Sequence, residues 1–247
     1  MIHGFWLDLL GMDAEYRATK VTRAELQAFL ANRRSDLSWR GCNVTMPLKL
    51  DALLAADDLT DRATAAGAAN LLLVRDRKLL AANTDVGAIR DTLAPLARDG
   101  VIILGNGGAT RAVLVALKLL GSENVRLQAR DMAAATSLSV EFGLSDGPRP
   151  FDAPIDSWGL INATPLGMTG VAPTHIDISG MPADGWVLDL VSAPLPTPLL
   201  AAAAARDLKA IDGLSVLVNQ AAESFEMLFD RKPPRQNDAA LFAKLRA

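Results

Sequence analysis

The run Gly105-Asn106-Gly107-Gly108-Ala109-Thr110-Arg111-Ala112 follows the apolar tetrad VIIL at 101–104 and precedes a segment of helical periodicity. A glycine-rich turn between a strand and a helix can cradle a diphosphate. Gly105 permits the tight turn, Gly107 lets the backbone approach the anion, and the N–H groups of the helix's first turn point at it. Thr110 stands where the third glycine of the dinucleotide fingerprint would be, so the pattern is degraded. The next strand ends in Ala129-Arg130-Asp131, with Arg130 lying 25 positions after Gly105. An arginine at such a strand end receives the 2′-phosphate of NADP, whereas an acidic residue bonds the 2′-hydroxyl of NAD. Arg130 favours NADP; Asp131 favours NAD unless it caps the helix that follows.

Three further polar groups stand out: Asn43-Val44-Thr45-Met46-Pro47-Leu48-Lys49, Gly67-Ala68-Ala69-Asn70 and Asn83-Thr84-Asp85. Read singly, the first is a strand end, a turn and an exposed lysine. Asp85 alone reads as a helix N-cap.

These residues must be positioned by an α/β framework. Thr22 with Glu25 forms a capping box for a helix from Arg23 to about Asn32. Residues 50–66 repeat apolar positions at helical spacing up to Gly67, predicting one helix. LLLV at 71–74, Asp76-Arg77-Lys78 and Leu79-Leu80 read as a hairpin, and a helix follows from Asp85 to about Leu96. From Val101 the chain alternates short apolar runs (101–104, 125–128, 159–164, 186–191, 208–211) with helical segments, which predicts βαβ units and a parallel sheet. Residues 214–230 and those from about Asn237 are helical, separated by Pro233-Pro234. The expected organisation is an α/β domain over 1–85, a Rossmann unit over 86–213, and C-terminal helices over 214–247 that pack back on the first domain.

With 247 residues the chain can bury a core without staples. Its net charge of −3 argues against a nucleic-acid binder that works by neutralising phosphates. One cysteine, Cys42, excludes an intrachain disulfide, and with only His3 and His175 beside it no metal site is expected. A reducing, cytoplasmic setting is the expectation, without a membrane span or a convincing signal peptide. His3 and His175 read as structural or exposed residues, and Trp39, Trp158 and Trp186 as packing residues.

In order and combination these motifs resemble the shikimate dehydrogenase family. The family's NVTxPxK matches 43–49, its GAxN matches Gly67, Ala68 and Asn70, and its NTDxxG partly matches Asn83, Thr84 and Asp85. GxGGAxRA matches 105–112, NATPxGM matches 162–168, D-x-V-x-x-P-x-x-TPLL is approximated over 189–200, and DGLxxLxxQAAxSF appears at 212–225. The resemblance spans nearly the whole chain. It implies an N-terminal α/β substrate domain and a Rossmann-type NADP-binding domain, with the substrate held in the cleft between them. It also implies reversible NADPH-dependent reduction of 3-dehydroshikimate to shikimate. Lys49 then corresponds to the catalytic lysine and Asp85 to its carboxylate partner, which also contacts substrate. Thr45, Asn70 and Gln220 correspond to polyol-binding positions. Gly105, Asn106, Gly107, Gly108, Ala109 and Arg130 correspond to the cofactor cradle, and Asn162, Thr164 and Gly213 to the nicotinamide end. The partners are the small polyol and NADP, and the assembly a monomer or homodimer.

The chain departs from the family in places. Met1-Ile2-His3 aligns just after the family's first strand and its Ser-x-Ser-Pro segment, whose serines bind the substrate carboxylate, so a shortened chain that binds shikimate poorly is expected. Leu71 replaces a threonine, Ser192 the tyrosine of D-x-V-Y, Val216 a methionine near the nicotinamide, and Ala129-Arg130-Asp131 the NRT cofactor signature. Alternative readings are a paralogue acting on quinate or an amino analogue with NAD or NADP, or a catalytically weak ligand-binding homologue.

Overall fold

The computed structural model of the chain describes residues 1–96, 100–171 and 176–246, so His175 lies outside the described residues. Contacts divide the chain into two units, Met1–Thr84 with Val218–Ala247, and Asp85–Leu217.

In the first unit, helices α1 (Ile2–Leu10) and α2 (Leu26–Arg34) precede strand β1 (Gly41–Asn43). Then come α3 (Lys49–Leu54), the short β2 (Asp58–Leu59), α4 (Asp61–Ala66), β3 (Leu71–Arg75) and β4 (Lys78–Ala82). The sheet order is β1-β3-β4-β2. The β3–β4 hairpin forms as the sequence predicts. Asp76 and Arg77 both take positive φ, 49° and 64°, as the two-residue turn that matches strand twist requires. Alternate residues of the hairpin serve opposite faces. Leu72, Leu79 and Ala81 pack with Leu26, Leu30 and Leu48, while Leu71, Leu73 and Ala82 pack on Leu228. Both faces are covered, which explains an unbroken apolar run where a half-exposed strand would alternate.

Two expectations for this unit change. The single helix over 50–66 is broken, because the backbone between α3 and α4 is captured by β4. Asp57 N donates to Leu79 O at 2.8 Å, and Thr60 N to Ala81 O at 2.9 Å. Thr60 then caps α4, its hydroxyl accepting from Ala63 N, and Gly67 ends that helix at φ 58°. Glu25 does bond Thr22, accepting from its N–H and hydroxyl, but α2 starts at Leu26 rather than Arg23.

In the second unit α5 (Asp85–Leu93), β5 (Val101–Leu104), α6 (Gly108–Leu119), β6 (Val125–Ala129) and α7 (Met132–Phe142) follow in order. Then come β7 (Arg149–Pro150), β8 (Gly159–Asn162), β9 (Trp186–Asp189), α8 (Pro198–Ala204) and β10 (Lys209–Asp212). The sheet runs β10-β9-β8-β5-β6-β7, every pair parallel. From β5 the order steps one way through β6 and β7 and the other way through β8, β9 and β10. This is the doubly wound Rossmann arrangement, with its switch point between β5 and β8. Every residue of β5, β8 and β9 is buried. Helix α9 (Gly213–Phe229) starts in this unit and continues into the first, where a 3-10 turn (Arg235–Asn237) leads to α10 (Asp238–Arg246). No helix among the described residues is long and apolar enough to cross a membrane.

Trp186 packs as expected, over Gly159, its register partner on the neighbouring strand. Trp158 is instead substantially exposed. A Cβ at position 159 would stand 2.3 Å from Trp186 Cζ2, with no room to relax between paired strands. Gly159→Ala is expected to lower the unfolding free energy by roughly 1–3 kcal/mol, the usual cost of overpacking a core, and urea denaturation measures it.

The first unit carries an aromatic cluster. Trp6 meets Phe225 edge-on at 5.6 Å, and His3 stacks flat on Tyr16 at 4.0 Å. His3 Nε2 is buried without a hydrogen-bond partner. Burial holds the imidazole down at about pKa 4, against an ordinary 6.5. The unfolded chain therefore takes up a proton that the folded chain refuses. Stability is unaffected above about pH 6.5 and falls as pH drops towards 4. Denaturant titrations at pH 7 and pH 5 are expected to differ by about 2 kcal/mol, and His3→Phe to remove most of that difference.

Candidate active site

In the first unit the polar residues singled out in the sequence converge through the backbone. Val44 N donates to Asn70 O at 2.7 Å, Leu48 N to Thr45 O at 3.0 Å, and Ala69 N to Lys49 O at 2.8 Å. The 43–49 run is thus tied along the 69–70 segment. Thr45 is exposed between strand and helix, and Lys49, half-buried, opens α3. Asn70 is buried at the start of β3. Gln220 reaches it from α9, with Asn70 Nδ2 donating to Gln220 Oε1 at 3.2 Å. Thr84 is pinned to the same amide, its N–H donating to Asn70 Oδ1 at 2.8 Å. Asp85, half-buried, follows Thr84 directly as the first residue of α5. Elsewhere on α9, Glu223 accepts from Arg62 of α4 at 2.7 Å. Cys42, beside this corner, is partly buried in β1, and burial pushes its thiol up to about pKa 11, favouring the thiol over the thiolate.

In the second unit the expected cofactor residues gather at the carboxyl ends of β5, β6 and β8, where ligands bind in open parallel sheets. Gly105 takes φ +106°, and a Cβ there would lie 2.9 Å from Thr164 Cγ2. Only glycine allows this turn and this approach. Gly108 and Ala109 are the first residues of α6, which no side chain caps at Gly107. A Cβ at 107 would meet nothing within 4 Å. Open space over an uncapped helix N-terminus fits a dinucleotide diphosphate. Asn106 Nδ2 donates to Asp131 O at 3.3 Å, tying the turn to the end of β6. Arg130 is exposed there. Asp131 caps α7, its Oδ1 accepting from Ala134 N at 3.0 Å, so the capping role that the sequence offered for it is met. Arg111 pairs in two-pronged fashion with Glu141, whose pKa it lowers.

The loop after β8 is held by a buried carboxylate that sequence reasoning passed over. Asp189 accepts from Asn162 Nδ2 at 2.8 Å, Val191 N at 3.1 Å and Thr197 Oγ1 at 2.6 Å. Asn162 Oδ1 in turn accepts from the Thr164 N–H and hydroxyl, at 3.1 and 2.6 Å. Burial pushes the Asp189 pKa up, while its three donors oppose that. Gly213 begins α9, and a Cβ there would lie 2.5 Å from Leu190 O and 2.7 Å from Asp189 O. Gly213, Asn162 and Thr164 therefore meet around the end of β9. The aspartate of the D-x-V run was the available signal for this role. No group of three or more His, Cys, Asp or Glu among the described residues could hold a metal.

Residues 1–72 match the shikimate dehydrogenase substrate binding domain, and residues 213–238 the shikimate 5′-dehydrogenase C-terminal domain. A curated relative from Sphingopyxis alaskensis, named shikimate dehydrogenase (NADP(+)), is 42% identical over 249 residues, covering 99% of this chain and 91% of the relative. Shikimate 5-dehydrogenase from Thermus thermophilus, solved with NADP(H) and shikimate, superposes with a TM-score of 0.87 at 31% identity, covering 99% of this chain and 93% of that one. Quinate dehydrogenase from Corynebacterium glutamicum, solved with NAD, gives a TM-score of 0.85 at 26% identity, covering 98% of this chain and 93% of that one. With identity of this extent running through both units, the chain belongs to the shikimate dehydrogenase family.

Proposed function

We propose that this chain is an NADP-dependent shikimate dehydrogenase, reducing 3-dehydroshikimate reversibly to shikimate. The observation that carries the reading is the gathering of Thr45, Lys49, Asn70 and Gln220 at one corner of the first unit, through the backbone ties of 43–49 to 69–70. Amides and hydroxyls at such a corner recognise a small polyol by direction rather than by apolar area. The names of the curated relatives support the same reaction.

NADPH, when bound at the Gly105–Ala109 turn, supplies the hydride. The chain's own residues do the rest. As the ketone carbon is reduced its oxygen gathers negative charge, and the Lys49 ammonium stabilises that oxygen and gives it a proton. In the reverse direction the neutral amine takes the hydroxyl proton. Asp85 takes the family's carboxylate role and accepts from a substrate hydroxyl. Asn70, Thr45 and Gln220 hold the ring. Arg130 receives the 2′-phosphate of NADP, a choice supported by the commitment of Asp131 to capping α7. Asn162, Thr164 and Gly213 line the nicotinamide end, held in place by Asp189.

A second reading, a dehydrogenase for quinate or a related polyol, draws on Ser192, which stands where the family carries a tyrosine and so removes a phenol from the substrate side. Rates with shikimate and quinate, each with NADP+ and NAD+, decide between the two, and shikimate with NADP+ is the expected best pair.

Lys49→Ala is expected to lower kcat by about 10²–10⁴, the worth of a positioned general acid, while the affinity for NADPH measured by fluorescence titration stays within about twofold. Equal loss of turnover and NADPH binding would contradict the role given to Lys49. Arg130→Ala is expected to weaken NADP+ by about tenfold or more and to leave NAD+ nearly unchanged, as isothermal titration with each nucleotide would show.

A further inference from the structure

At the carboxyl end of β8 the polar side chains are committed to one another. Thr164 N–H can only donate, so the Asn162 atom 3.1 Å from it is Oδ1. Asn162 Nδ2 therefore faces Asp189 Oδ1 at 2.8 Å and Leu166 O at 3.2 Å, both of which accept. The Thr164 hydroxyl lies 2.6 Å from the same Asn162 Oδ1, which has no hydrogen to give, so the hydroxyl is the donor. Its oxygen also accepts from Leu166 N at 3.2 Å. The one hydrogen of the Thr164 hydroxyl is thus spent inside the protein, and none is left for a phosphate or ribose oxygen. With Oγ1 held on this side and χ1 stiff at a β-branched residue, the methyl carbon Cγ2 is the end of Thr164 turned to Gly105. A Cβ at position 105 would lie 2.9 Å from that methyl.

The glycine turn is held differently on its two sides. Towards β6, Gly105 N donates to Gln128 O at 2.8 Å and Asn106 Nδ2 to Asp131 O at 3.3 Å. Towards β8, Ala163 N donates to Leu104 O at 3.0 Å, before the chain bends at Gly105. Past that bond, Gly105 lies against the Ala163 backbone and the Thr164 methyl. We propose that Thr164 is a positioning residue for the dinucleotide: its methyl group braces the Gly105–Gly107 turn on the β8 side, and its hydroxyl serves to aim that methyl. The proposal rests on the reading of this turn as the diphosphate site. A glycine-rich turn has conformational freedom that other residues lack. Apparent affinity falls by the fraction of molecules in which the turn has left its binding conformation. A methyl packed on one flank restricts that freedom without competing for the ligand. Asn162 and Asp189 act one step further back. Asn162 gives both hydrogens of Nδ2 and takes two donors on Oδ1, and the buried Asp189 carboxylate holds its amino end.

Equilibrium binding to the full chain tests this, with NADP+ and with 2′-phospho-ADP-ribose, which keeps the diphosphate and lacks the nicotinamide. Thr164→Ser keeps the hydroxyl and both of its hydrogen bonds and removes only the methyl. It is expected to raise the Kd of both nucleotides by the same factor, about threefold to tenfold, the worth of about one packed methyl group. The KM for shikimate at saturating NADP+ should move by less than that factor. Thr164→Ala, which removes hydroxyl and methyl together, is expected to weaken both nucleotides at least as much. Unchanged Kd values in Thr164→Ser overturn the bracing role, and an affinity kept in Thr164→Ser but lost in Thr164→Ala would make the hydroxyl the working group instead. A rise for NADP+ alone also overturns it, because Thr164 would then serve the nicotinamide and not the turn. So does an equal rise in the shikimate KM accompanied by a fall in Tm, which marks a purely structural residue. If the unsubstituted chain binds neither nucleotide, the reading of the turn as a diphosphate site fails first, and the proposal falls with it.

Discussion

One hydrogen bond orders the polar half of the first unit, the 2.8 Å bond from the Thr84 N–H to Asn70 Oδ1. A main-chain N–H has no alternative to donating, so this bond sets the orientation of the Asn70 amide. The orientation of Asn70 then dictates that of Gln220, and the donors of Thr84, Ser224, Asn43 and Tyr16 fall into one consistent sequence. The bond also joins the two ends of the β3–β4 hairpin, since Asn70 precedes β3 and Thr84 follows β4. Hairpin register and site polarity are therefore one constraint. A slip of one residue would turn Leu71, Leu72 and Leu73 to the wrong faces and would also move Thr84 off the amide that orders the network.

The second unit solves a different problem with backbone rather than side chains. Its parallel sheet reverses order between β5 and β8, and the two loops leaving those strands approach so closely that Gly105 has no room for a Cβ beside Thr164. Asp189 anchors the far side of the same region by accepting from Asn162 and Thr197, and Gly213 fits against the carbonyls of Asp189 and Leu190. Here a buried carboxylate takes three donors, and two glycines stand where the backbone approaches closest.

Much of this was legible in the sequence. The short apolar runs at 101–104, 159–164 and 186–191 marked strands buried on both faces, and the glycine turn after the first of them marked the start of α6. Asp76-Arg77 was readable as a hairpin turn. The break between α3 and α4 was not. Residues 50–66 keep helical periodicity throughout, and only the pairing of Asp57 and Thr60 with β4 shows that a distant strand holds that backbone extended. Local propensity is worth tenths of a kcal/mol per residue, and paired main-chain groups in a sheet outweigh it.

The order of the motifs in the chain determined the family, and it supplied the residues proposed for the chemistry: Lys49, Asp85, Asn70, Gln220, Arg130 and the glycines of the turn. Residue types and spacing carry that information because chemistry needs particular functional groups. The sequence left open whether Asp131 caps a helix, and which way the Asn70 amide faces. The fold decided both, placing Asp131 on the Ala134 N–H and Thr84 N–H on Asn70. A side chain with several possible partners is assigned only by which of them the surrounding backbone brings within about 3 Å, and that distance is a property of the assembled structure.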